Sequence, residues 1–131
     1  MADVFVKAQA KSVDMTPRKV GEVASLVRGR SVADALVILE HTPRRAARPV
    51  AKVIESARAN AAHNHNVQVD NLQIAVLNVS PGPRLKRFRP VARGSAHPYQ
   101  KRTTHITVIV SGAEKVKKPA AKPAVTKKES K

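Results

Sequence analysis

Cysteine and tryptophan are absent from this 131-residue sequence, and there are only one Tyr and two Phe. Without cysteine there is no disulfide framework and no thiolate metal site, which suits a reducing compartment. With aromatics at 2%, the core must be built from Val, Ile, Leu and Ala, within a hydrophobic content of 42%. Acidic residues are also scarce: 9 Asp+Glu stand against 25 Lys+Arg, a formal charge of +16 at pH 7 and a pI near 11.2. Self-repulsion on that scale opposes compactness until a polyanion dissipates it. No stretch approaches the ~20 apolar residues that span a bilayer. The opening Met1-Ala-Asp-Val-Phe-Val-Lys7 carries no signal-peptide run. A cytoplasmic protein without a membrane partner is expected. The length allows one domain with a modest core.

The scarcity of acid is most pronounced late in the chain, where no Asp or Glu occurs from Asn71 to Ala113. Inside that stretch, Ser80 to Arg102 carries seven Lys or Arg, four prolines, Phe88 and Tyr99. β-Branched runs flank it, Leu72 to Val79 before and Thr103 to Val110 after. Two strands joined by a segment too basic to bury read as a hairpin with an extended arm. Folded back midway, each leg has about eleven residues, or roughly 35 Å. So little core cannot offset chain entropy, so the arm is expected to be ordered by threading into something anionic. Irregular structured RNA suits such a finger better than the repeating groove of duplex DNA.

Elsewhere the patterning mixes strand and helix signals. Residues 3–10 alternate, with Val4, Val6, Ala8 and Ala10 on one face, which predicts a strand. Thr16-Pro17 opens a helix carrying Val20, Val23, Ala24 and Val27, with Gly29 placed to end it. Ser31 and Asp34 form a capping pattern for a shorter helix with Val32, Ala35, Leu36 and Leu39 inward. Thr42-Pro43 repeats the start signal for the longest helix, striped by Ala47, Val50, Ile54, Ala57 and Ala61; Pro49 should kink it or delay its start. Arg44 and Arg45 near that start oppose the helix dipole, which implies something outside the helix that favours them. His63-Asn-His-Asn66 closes it. The expected architecture is α+β: three helices packed on a small three-stranded antiparallel sheet, with a long protruding basic β-hairpin arm. Residues 1–113 form one RNA-binding domain, with 80–102 as the arm. Residues 114–131, with seven lysines, form a disordered cationic tail.

Catalytic machinery is not visible. His41, His97 and His105 have no obvious carboxylate partner, and His63 with His65 lacks third and fourth metal ligands. The five histidines read as surface or RNA-facing groups. There is no phosphate-cradling glycine loop, nucleophile elbow or paired-carboxylate motif. No enzyme activity, catalytic residue, metal, cofactor or small-molecule substrate is expected. In the arm, Arg84, Lys86, Arg87, Arg89 and Arg93 alternate with Leu85, Phe88, Pro90 and Val91. Guanidinium groups suit bidentate phosphate contacts and stacking on bases. Phe88 is open to two readings, a platform for an unstacked base or a plug for the arm's own turn.

Together these stretches resemble a bacterial member of the universal large-ribosomal-subunit protein family numbered twenty-two. The matching segments are Met15-Thr-Pro-Arg-Lys-Val20, Val27-Arg-Gly-Arg-Ser-Val32, Ser56-Ala-Arg-Ala-Asn-Ala61 with His63-Asn64, Gly82-Pro-Arg-Leu-Lys-Arg87, Ala92-Arg-Gly-Ser-Ala96 and Lys101-Arg-Thr-Thr-His-Ile-Thr-Val108. The resemblance implies a protein that binds large-subunit ribosomal RNA, acts early in subunit assembly, contacts neighbouring ribosomal proteins and reaches with its arm into the polypeptide exit tunnel beside the nascent chain. It assigns RNA contact to Arg18, Lys19, Arg28, Arg30, Arg84, Arg93, Lys101 and Arg102, joined in the arm by Lys86, Arg87 and Arg89. It puts Lys86, Arg87, Phe88, Arg89 and Pro90 at the tunnel tip. Gly21-Glu22 and His97-Pro-Tyr-Gln100 depart from the family pattern, and the lysine-rich tail is not a general family feature. The alternative is an architectural DNA-binding protein that wedges basic β-arms into the minor groove.

Overall fold

The computed structural model describes residues 3–113; the expected cationic tail lies outside the described residues. The elements run β1 (Asp3–Val13), α1 (Pro17–Val27), α2 (Val32–His41), α3 (Ala47–His65), β2 (Gln73–Pro90) and β3 (Ala96–Ala113), with single 3-10 turns at Val69–Asn71 and Ala92–Gly94. The sheet is antiparallel in the order β1-β3-β2, so the last strand is central.

The period-2 pattern sets which sheet face is buried. Val6 and Ala8 of β1, Ile74 and Leu77 of β2, and Ile106, Val108 and Val110 of β3 are buried under the helices. Across the interface lie Val20, Val23, Ala24 and Val27 of α1, Val32, Ala35 and Leu39 of α2, and Ala47, Val50, Val53, Ile54, Ala57 and Ala61 of α3. α3 packs on β1 and β3, and α1 mainly on β2. No aromatic enters this core: Phe5, Phe88 and Tyr99 are 65%, 71% and 39% exposed.

Two helix starts follow the signals read from the sequence. Thr16 takes the N-cap position of α1 with Pro17 inside, although its hydroxyl makes no capping bond. Ser31 caps α2 fully, since its Oγ accepts from the Asp34 N–H at 3.1 Å and donates to Asp34 Oδ2 at 2.7 Å. The third start is a correction. Thr42-Pro43 does not open α3; Thr42 closes α2, its Oγ1 donating to the Ile38 carbonyl at 2.6 Å and its N–H to Leu39. α3 begins four residues later at Ala47, which leaves Pro49 in the first turn, where its missing N–H has no helical acceptor to lose. Asn66, with φ 48°, ends α3 in the left-handed conformation.

Both sheet edges are managed near the body. The Val32 N–H donates to Leu72 O at 2.9 Å and the Ile74 N–H to Arg30 O at 3.0 Å, so the link before α2 covers the first rungs of β2. On β1 the register shifts between Ala10 and Val13. There Ser12, φ 54°, points its N–H at His105 Nδ1, 2.9 Å away. β1 stops pairing at Val13↔Thr104, and beyond it β2 and β3 continue alone as a two-stranded ribbon.

Candidate nucleic-acid interface

The ribbon is the arm. After a register shift between Pro81 and Arg84, it pairs continuously from Arg84↔Arg102 to Pro90↔Ala96, about 23 Å at ~3.3 Å per residue. His97–Gln100, the stretch expected to depart from the family pattern, stay in register throughout. The arm bends back at Val91–Ser95, where the Val91 N–H donates to Ser95 O at 2.8 Å and Arg93 adopts φ 59°. Lys86 to Pro90, expected at the tip, therefore lie on the outgoing leg just short of it, and Val91, Ala92 and Arg93 form the apex. The ladder passes two prolines because of where they fall. Val91 and Ser95 form a hydrogen-bonded pair, so by alternation Pro90↔Ala96 and Phe88↔Pro98 are non-hydrogen-bonded pairs in which neither proline needs an N–H.

The same alternation sorts the side chains onto two faces. One holds Arg84, Lys86, Phe88, Pro98, Gln100 and Arg102; the other holds Leu85, Arg87, Arg89, His97, Tyr99 and Lys101. Both are basic, and no residue from Pro83 to Arg102 is buried. Arg84 and Arg102 oppose each other in a non-hydrogen-bonded pair, where side chains approach most closely and like charges destabilise. Arg89 lies over the Tyr99 ring, 5.0 Å from its centroid, the diagonal neighbour across the ladder. Phe88 makes no such contact and is 71% exposed, so it does not plug the turn.

At the arm's root the fold gathers residues far apart in sequence. Arg18 and Lys19 of α1, Arg44 and Arg45 of the α2–α3 link, and Lys101 and Arg102 of β3 line one groove with Asp14 and Glu22. Lys101 Nζ meets Asp14 Oδ2 at 2.9 Å. Glu22 accepts from Arg44 and lies 4.0 Å from Arg18. Arg44 and Arg45 were not among the expected contacts; their unfavourable place before α3 was the available signal, and only the tertiary fold shows where they go. Arg28 and Arg30 are not part of this groove's lining. They sit past the other end of α1, Arg28 donating to Leu77 O at 3.0 Å and Arg30 to Leu26 O at 2.9 Å. Arg28 thus ties the end of α1 to β2, Arg30 fastens its own helix end, and both are exposed.

The joint between body and arm is tightly built. Thr104 Oγ1 donates to Met15 O at 2.6 Å, and Thr103 Oγ1 to Pro83 O at 2.8 Å. A Cβ on Gly82 would stand 2.5 Å from Thr103 Oγ1 and 3.2 Å from its carbonyl carbon, so only glycine fits there without displacement. His105, read from the sequence as a surface or RNA-facing group, is half-buried and holds the β1 bulge.

The sequence model described as Ribosomal protein L22p/L17e matches residues 8–111. Large ribosomal subunit protein uL22 of Latilactobacillus sakei is 53% identical over 116 residues, covering 87% of this chain and 99% of that protein. The uL22 proteins of Lacticaseibacillus casei and Lacticaseibacillus paracasei are each 50% identical over the same length and coverage.

Proposed function

The chain belongs to the L22p/L17e family of ribosomal proteins, and on that premise we propose how it serves as a structural constituent of the large ribosomal subunit. It is not an enzyme; it works within the cytoplasmic ribosome, with ribosomal RNA and other ribosomal proteins as partners. Residues 1–113 act as a single RNA-binding unit. Arg84, Lys86, Arg87, Arg89 and Arg93 contact phosphates and bases along the arm, and Arg18, Lys19, Lys101 and Arg102 do so at its root. Arg28 and Arg30 make a separate contact from the far end of α1.

The observation that carries this reading is a ribbon charged on both faces, with Arg84 facing Arg102 and no carboxylate from Asn71 to Ala113. A free protein gains nothing from such a pair, whereas a phosphate between or beside the two guanidinium groups converts repulsion into attraction. A ribbon open on both faces suits enclosure by RNA rather than docking on one surface. The architectural DNA-binding reading has no support in the relatives found. The test is retention on purified large subunits through a high-salt wash, with photo-crosslinks from Arg87 and Arg93 positions mapped to ribosomal RNA. Release at moderate salt, or crosslinks confined to proteins, would overturn the reading.

The slender exposed tip further supports a place in the exit tunnel, with Lys86 to Pro90 and the apex at Val91 to Arg93 beside the nascent chain. A photoreactive side chain at Phe88 should then label an arrested nascent chain. Labelling of RNA alone from positions 86 through 93 would remove the tunnel from the proposal.

A further inference from the structure

We propose that the groove at the arm's root is a phosphodiester-binding site in which Glu22 stands, in the free protein, where a backbone phosphate stands in the RNA complex. The inference rests on the ribosomal-RNA reading above and deepens it by assigning Arg44 and Arg45 to the interface and a displaceable role to Glu22.

The groove brings six cationic side chains from three separate stretches, Arg18-Lys19, Arg44-Arg45 and Lys101-Arg102, against two carboxylates. Each carboxylate is engaged: Asp14 with Lys101, and Glu22 with Arg44 and more distantly Arg18. Lys19, Arg45 and Arg102 have no ion pair among the described residues. The local excess of positive charge is therefore not neutralised within the described protein. Arg44 and Arg45 also precede α3, where positive charge opposes the helix dipole. Glu22 compensates Arg44 but leaves Arg45 without a partner.

Glu22 and a phosphodiester offer the same chemistry to Arg44, two anionic oxygens for a guanidinium fork. They differ in what surrounds them. The carboxylate pair is solvent-exposed, with side chains 57% and 47% accessible, and such pairs are weak. A phosphate delivered on RNA brings its neighbours along the strand and releases condensed counterions, so it wins the exchange. Glu22 lies on α1 and lines the groove beside Arg18, and its exposed side chain can swing to water without disturbing the core. It holds Arg44 in place before RNA arrives and lowers the affinity of the groove for stray anions.

The experiment is filter binding of the full chain to a large-subunit ribosomal RNA transcript across a salt series. The double variant R44Q/R45Q is expected to bind more weakly and to flatten the slope of log affinity against log salt by about one to two, since each phosphate contact contributes ~0.9. E22Q is expected to tighten binding up to about fivefold, the size of one exposed ion pair, with the slope unchanged. An unchanged slope in R44Q/R45Q, or unchanged or weaker binding in E22Q, overturns the inference while wild-type binding stays intact. Absence of wild-type binding overturns the ribosomal-RNA reading itself. Circular dichroism checks the fold; should the double variant unfold, E22Q decides alone.

Discussion

β2 and β3 run through both halves of the molecule, and only their surroundings change. In the body, Ile74, Leu77, Ile106, Val108 and Val110 of these strands are buried under α1 and α3. Each fully buried aliphatic side chain there contributes roughly 1.5–3 kcal/mol relative to exposure. Past the joint at Thr103, none of the paired residues from Arg84↔Arg102 to Pro90↔Ala96 is buried, yet the two strands stay paired. The body is held by side chains and the arm by backbone hydrogen bonds, with one cation–π contact along it and the Lys101–Asp14 ion pair at its root. A two-stranded ribbon with no apolar face has marginal stability in water. The body thus has a core of its own to hold it, whereas the arm has none.

That contrast can be broken from either side. Replacing Ile54 with Asp places an unpaired charge at a fully buried site and should cost more than about 4 kcal/mol, abolishing cooperative thermal unfolding. A variant that still melts sharply near the parent temperature would show that the body does not depend on this core. Gly82→Ala acts at the joint, where the new Cβ meets Thr103; about 1–3 kcal/mol of destabilisation is expected, read by thermal melting. Arg84→Gln should raise the stability of the free protein by roughly 0.2–1 kcal/mol, because it relieves the cross-strand repulsion with Arg102, while weakening RNA binding. Opposite movement of melting temperature and affinity is the signature; movement together contradicts it. Deleting Leu85 to Arg87 should leave the melting temperature of the free protein nearly unchanged, since none of the three is buried. A large fall would mean that arm and body are energetically coupled.

The sheet, the helices and the arm were legible because each rests on a local signal. Val6 and Ala8 alternate, Ser31 and Asp34 cap, and the acid-free run from Asn71 marks what cannot be buried. Thr42-Pro43 misled because a Thr-Pro pair serves equally to close one helix and open another. The deciding contact, Thr42 to Ile38, lies behind it in the chain rather than ahead. Pro90 and Pro98 fall on rungs that need no donor, a matter of register that only the paired strands reveal. The site was half legible for the same kind of reason. The motif residues Arg18, Lys19, Lys101 and Arg102 were identifiable one by one. Their assembly with Arg44 and Glu22 depends on three distant stretches meeting at the arm's root.

The unbroken ladder also constrains how the arm can evolve. Because successive residues point to opposite faces, inserting one residue in a leg would carry every side chain between it and the tip to the other face, moving Phe88 across and parting Arg89 from Tyr99. It would also shift Pro98 or Pro90 onto rungs that require an N–H. Two residues added to each leg keep both faces and both prolines in phase and lengthen the ribbon by roughly 7 Å. The arm's reach is therefore heritable in steps: fingers of this kind are expected to differ between species by even numbers of residues per leg, with odd changes confined to the Val91–Ser95 turn.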